Sequence, residues 1–254
     1  MKSAPRRVRG GLTRNVAVAV VAWAGLVGLL VLVGWLVSRG RVDAFDRRVT
    51  AVIVAHRTAA LDATMRSVTW LGSWAAALVT GVILVVLVLR RRITYLFFLL
   101  VVAAWAGEAA GVTLTKRIVT RPRPPQAIRL VTAHGWSWPS GHTATAVIVF
   151  GTLVLLVTVT TPRIAVRAAA WGVAVIALGL VGFSRVELGV HWATDVIAGA
   201  IFASCWLATL LLVTRHMRGP CPRAEQLNPI RLGLVSRPLE IASSLTCHPS
   251  DPRI

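Results

Sequence analysis

SRVELGVHWATD, residues 184–195, ends one long apolar run and begins another whose fourth residue is an aspartate. Ionisable groups are costly so close to apolar runs, and they read there as functional candidates. A helix starting near His191 would carry Asp195 four residues on, on the same face. The carboxylate could then hold one imidazole nitrogen and leave the other free as a nucleophile or a base. Arg185 stands beside this His–Asp dyad as a candidate contact for an anion. The plainer reading is a hydrogen-bonded pair near a membrane surface, with Arg185 as an interfacial anchor.

Outward from this stretch the chain is strongly apolar. Of 254 residues, 56% are hydrophobic and 15% charged, and the mean hydropathy is +0.72, which excludes an ordinary soluble domain. The net charge of +19 sits in short basic clusters between apolar runs. That pattern fits membrane topology and anionic headgroups, with no nucleic-acid partner. Cys205, Cys221 and Cys247 show neither metal-binding spacing nor a disulfide framework.

A bilayer core of about 30 Å takes about 20 helical residues at about 1.5 Å each. Apolar runs at 15–38, 67–89, 93–115, 143–161, 168–183 and 192–214 predict six spans, the fifth somewhat short. The first run continues through Gly34, Trp35 and Leu36, past the length of a signal-peptide core, and is expected to remain as a span. Between the first two spans, residues 39–66 mix arginines and aspartates with Phe45, Val49, Val52 and Ile53 at helical spacing, which predicts an amphipathic surface helix. Glu108, deep in the third run, is expected to face the bundle interior in a structural hydrogen bond. Residues 215–254 hold six of the twelve prolines and predict a disordered tail. The expected fold is all-α, an integral membrane bundle of six transmembrane helices over 15–214. It is flanked by a basic cytoplasmic N-terminus, 1–14, and a cytoplasmic tail, 215–254.

Six spans put the ends of the third and fifth and the starts of the fourth and sixth on one face, opposite the N-terminus. The N-terminal side carries thirteen basic residues against twelve, or nine once Lys116, Arg123 and Arg185 are set aside. The positive-inside rule then predicts a multi-pass cell-membrane protein with its site on the extracytoplasmic face.

Two more stretches reach that face. KRIVTRPRP, residues 116–124, supplies Lys116 and Arg123. WPSGH, residues 138–142, supplies Ser140 as a helix N-cap, Gly141 where backbone can approach a ligand, free first-turn amides suited to phosphate, and His142. Positive charge for three equatorial oxygens, an in-line nucleophile and an acid for the leaving oxygen are what phosphoryl transfer requires. His142, His191 and Asp195 could in principle ligate a metal. Three nearby cations oppose a divalent ion, so no metal and no cofactor are expected.

The three stretches resemble the three-part signature of the type 2 phosphatidic acid phosphatase family, also called the lipid phosphate phosphatases, in a bacterial membrane-bound form. K-x6-R-P falls on Lys116, Arg123 and Pro124; P-S-G-H on residues 139–142; S-R-x5-H-x3-D on Ser184, Arg185, His191 and Asp195. The resemblance implies that His191 is a nucleophile forming a phosphohistidine, oriented by Asp195. His142 would protonate the leaving oxygen and then activate water, while Lys116, Arg123, Ser140, Gly141 and Arg185 hold the phosphoryl oxygens. The implied substrates are a polyprenyl diphosphate, phosphatidylglycerol phosphate or phosphatidic acid, met among membrane lipids. The competing expectation is a non-catalytic membrane protein that binds or transports an anionic lipid or phosphate; binding alone would need the cations but neither a nucleophile nor an acid.

Overall fold

The computed structural model describes residues 7–217, which are helical with connecting turns and loops. The basic N-terminus up to residue 6 and the predicted tail from residue 218 lie outside the described residues. In chain order the helices are α1 (Arg7–Ser38), α2 (Asp43–Ala55), α3 (Ala59–Val68), α4 (Trp74–Leu89), α5 (Tyr95–Val119), α6 (Gly141–Thr160), α7 (Ile164–Glu187) and α8 (Ala193–Met217).

A long helix stands at each place where a span is predicted, but length and composition alone do not bring the count to six. Tyr95–Val119, Gly141–Thr158 and Ile164–Glu187 are long and apolar enough to cross a membrane. A fourth crossing arises if Ala59–Gly72 and Trp74–Leu89, bent by 43° from one another, form one broken span. Val27–Ser38 in α1 and Ala193–Thr209 in α8 are shorter apolar stretches. The bend has a local cause. Ser73 leaves the helical conformation and caps α4, its hydroxyl accepting the Ala75 amide at 3.2 Å. Beside it, Gly72 packs so closely on the His142 carbonyl that a Cβ would collide.

The predicted amphipathic helix is two helices. Thr58, in extended conformation, caps α3 through Leu61, which breaks the segment after Ala55. Neither helix merely rests on the surface: Asp46, Thr50 and Met65 are buried, and α2 and α3 pack against the end of α7.

α6 forms the centre, packed against α4, α5, α7 and α8, and α1 packs on α8. On α5, Phe97, Val101, Ala104, Glu108 and Val112 are buried, a stripe at helical period that turns inward; Glu108 faces the interior as expected. The opposite faces expose Leu96, Leu99, Leu114 and Ile118 on α5, and Val173, Val175, Ile176 and Leu180 on α7. Such an apolar belt would be a liability in water and is the natural surface toward lipid. The C-terminal ends of α5 and α7 and the N-terminal ends of α6 and α8 come together, and α2 and α3 lie against that end.

Candidate active site

Each functional group reaches this end through a local backbone cause. Thr120, in the left-handed region (φ 46°), stops α5 and leaves Lys116 in its last turn. Ser140 caps α6, accepting the Thr143 amide at 3.4 Å, while its own amide donates to the Asp195 carbonyl at 2.9 Å. Gly141 is the first residue of α6, where helix geometry leaves amides without intrahelical acceptors. α7 runs on to Glu187, beyond the predicted end of the fifth span, so Ser184 and Arg185 lie in its last turn. Gly189 (φ 71°) then reverses the chain. The amides of Val190 and His191 donate back to the Arg185 carbonyl at 3.2 and 3.1 Å.

His191 is 3% exposed and Asp195 fully buried. Nδ1 of His191 is 3.4 Å from Asp195 Oδ2, an oxygen that also accepts the Trp192 amide at 2.9 Å. Nε2 of His191 is 3.1 Å from Arg123 Nη1. A guanidinium can only donate. Nε2 is therefore the lone-pair nitrogen, and Nδ1 carries the proton it offers to Asp195. Burial pushes the imidazole down to about 4; Asp195 works against that fall, and Arg123 and Arg185 add to it. The ring is thus neutral at pH 7.

The cations are placed unevenly. Lys116 Nζ donates to the carbonyls of Trp136, Ser137 and Pro139 at 3.0, 3.1 and 2.7 Å. That uses all three ammonium hydrogens, so Lys116 shapes the loop into Ser140 while adding charge. Arg123 holds the carbonyls of Gly135, His134 and Val190 at 3.0, 3.0 and 2.7 Å, and burial lowers its pKa. Arg185, 5% exposed, donates to Thr69 Oγ1 at 2.6 Å. Its Nε is buried without an acceptor among the described residues. A buried cationic donor left unpaired is costly, and a phosphoryl oxygen would satisfy it. His142 is within electrostatic reach of Arg185, His191, Arg123 and Lys116. All the predicted site residues therefore lie at one end of the bundle.

Sequence reasoning missed Arg121, Asp46, Thr194 and Thr69. Arg121 is 6% exposed; it donates to Asp195 Oδ1 at 2.7 Å and to Asp46 Oδ2 at 2.6 Å. Burial alone would lower its pKa, but the two carboxylates raise it overall. One signal was available: Asp43 and Asp46, three residues apart on one helical face, in a segment dominated by arginine. Two cavities flank the site. One of about 470 Å³ is walled by Val37, Asp43, Asp46, Arg121 and Trp192 among others. The other, about 410 Å³, opens beside Arg123, Arg129 and His134.

Residues 93–218 match the family described as the PAP2 superfamily. An undecaprenyl-diphosphatase of Sulfolobus acidocaldarius is 37% identical over 92 residues, which are 36% of this chain and 39% of that protein. The match thus spans well under half of that relative's length. A crystal structure of a transmembrane PAP2-type phosphatidylglycerolphosphate phosphatase from Bacillus subtilis superposes with a TM-score of 0.69 at 25% identity, covering 78% of this chain and 96% of that one. The crystal structure of Aquifex aeolicus LpxE is alike in fold, with a TM-score of 0.52 at 22% identity over 66% and 94% of the two chains.

Proposed function

The chain belongs to the PAP2 superfamily, and on that premise we propose that it is a membrane lipid phosphatase that removes a terminal phosphate from a lipid phosphate or diphosphate through a phosphohistidine. The observation that carries this reading is the pair of contacts on His191, Nδ1 to Asp195 and Nε2 to the donor-only Arg123, which assigns Nδ1–H and a lone pair on Nε2. An imidazole held this way is an oriented nucleophile among cations.

In the first step Nε2 attacks phosphorus and forms a P–N bond. The P–O bond to the lipid breaks, its electron pair leaves on that oxygen, and His142, protonated once the phosphoryl anion is bound beside it, supplies the proton. Asp195 offsets the positive charge that grows on the imidazole. Arg185, through its unpaired Nε, and Arg123, Ser140 and the first-turn amides of α6 neutralise the equatorial oxygens. In the second step His142 takes a proton from water. The oxygen of that water attacks phosphorus, the P–N bond breaks, and phosphate leaves. Arg123 must exchange its contact with Nε2 for one with substrate before attack. The charge of Lys116, Arg123 and Arg185 supplies electrostatic stabilisation without a divalent ion.

A polyprenyl diphosphate is the favoured substrate, on the activity named for the Sulfolobus relative and on the extracytoplasmic site that the positive-inside count predicts. Phosphatidylglycerol phosphate and phosphatidic acid are the other candidates. The test is phosphate release by the detergent-purified protein, with EDTA, from these three lipids and a soluble phosphomonoester. Release is expected to survive EDTA, to favour the diphosphate, and to vanish in His191→Ala while phosphate still binds. Turnover unchanged in His191→Ala would sink the mechanism; phosphate binding without release from any lipid would favour binding or transport.

A further inference from the structure

We propose that Arg121, held by Asp46 of α2, is a positioning residue that divides the charge of Asp195 between itself and His191. The inference rests on the phosphohistidine reading for its kinetic consequence, but not for the geometry. Arg121 sits between Lys116 and Arg123 in the chain, yet its donors go elsewhere. Nη1 donates to Asp195 Oδ1 at 2.7 Å and to Thr194 Oγ1 at 2.8 Å. Nη2 donates to Asp46 Oδ2 at 2.6 Å, with Asp43 Oδ1 at 3.4 Å. Asp46, fully buried, closes the ring by accepting the Thr194 amide at 3.0 Å and the Thr194 hydroxyl at 2.6 Å. The guanidinium lies over the Trp192 ring, with Arg121 Cζ 5.6 Å from the ring centroid.

Asp195 thus faces two ionisable claimants, Arg121 on Oδ1 and His191 on Oδ2 beside the Trp192 amide. Arg121 itself is balanced by Asp46, so Asp195 keeps charge to lend to the imidazole. Without the charge of Asp46, Arg121 draws fully on Asp195, and the imidazole loses support as it becomes cationic. Without Arg121, Asp195 gives its whole charge to His191 and holds a second proton on the ring. The other ionisable groups that bear on His191 are Arg123, Arg185 and His142; those on Arg121 are Asp43, Asp46 and Asp195. The Asp46–Arg121 pair reaches His191 through Asp195.

The experiment compares wild type, Asp46→Asn, Asp46→Glu, Arg121→Gln and Arg121→Lys in detergent, after a thermal melt gives the folded fraction. It reads kcat, KM and the pH profile on a polyprenyl diphosphate, together with 15N-imidazole NMR of His191. Asp46→Asn is expected to lower kcat by about 10- to 100-fold with little change in KM, as for other outer partners that orient a histidine. Asp46→Glu recovers part of the loss. Arg121→Gln moves the His191 titration upward by a unit or more, Asp46→Asn moves it downward, and Arg121→Lys keeps the wild-type titration but lowers kcat. Shifts of the same sign in the two charge-removing variants, or a kcat loss no larger than the loss of folded protein, would overturn the proposal. If either charge-removing variant fails to fold, its charge-retaining partner still decides, because unchanged kcat there contradicts the geometry. Opposite NMR shifts in the two charge-removing variants, with a wild-type protein that releases no phosphate, would leave the positioning intact and remove only the catalytic reading.

Discussion

At the residue scale, the neutral His191 has a consequence for stability. Folded, it gains a proton only near pH 4, against 6.5 for the free group. The unfolded chain therefore binds more protons between those values, and stability falls as pH drops from about 6.5 toward 4, by up to about 3 kcal/mol. Thermal melts in detergent should show this slope, flattened in His191→Gln. The unpaired Nε of Arg185 makes a second prediction. Arg185→Lys keeps the charge but removes a planar donor, and phosphate release should slow by about 100-fold, the scale of losing one oxyanion donor. A rate within a few-fold of wild type would mean that Nε never meets the phosphoryl group.

At the element scale, the turn between α7 and α8 is the tightest constraint. Gly189 has φ 71°, and a Cβ there would run into the Ile128 carbonyl. Gly189→Ala should cost more than about 1 kcal/mol, lower the melting temperature and displace His191. Gly172→Ala on the same α7, with nothing near its Cβ position, should leave both melting temperature and activity unchanged. Periodicity made the helices legible, and the four-residue spacing from His191, just before α8, to Asp195 in its first turn made the dyad legible. The break at Ser73 was hidden because residues 67–89 form one uncharged run, and the signal for it is an N-cap and a close approach to His142. The burial of Asp46 was hidden for another reason. Its partner Arg121 is 75 residues away, and spacing rules see only neighbours along one helix.

At the scale of the whole molecule, the one-ended site predicts a sidedness that can be measured. A cysteine placed at exposed His134 in a background otherwise free of cysteine should react with a membrane-impermeant maleimide on intact cells. A cysteine at position 221 should react only after lysis; the reverse pattern would put the site inside. The apolar belt also governs how the protein meets its substrate. Side chains such as Val173, Ile176 and Leu180 of α7 face outward, so protein and lipid share a two-dimensional solvent and encounters depend on surface density. In mixed micelles the rate should follow the mole fraction of substrate among amphiphiles. Adding plain detergent at constant total substrate should slow the reaction by dilution within the surface, although the number of substrate molecules per millilitre has not changed.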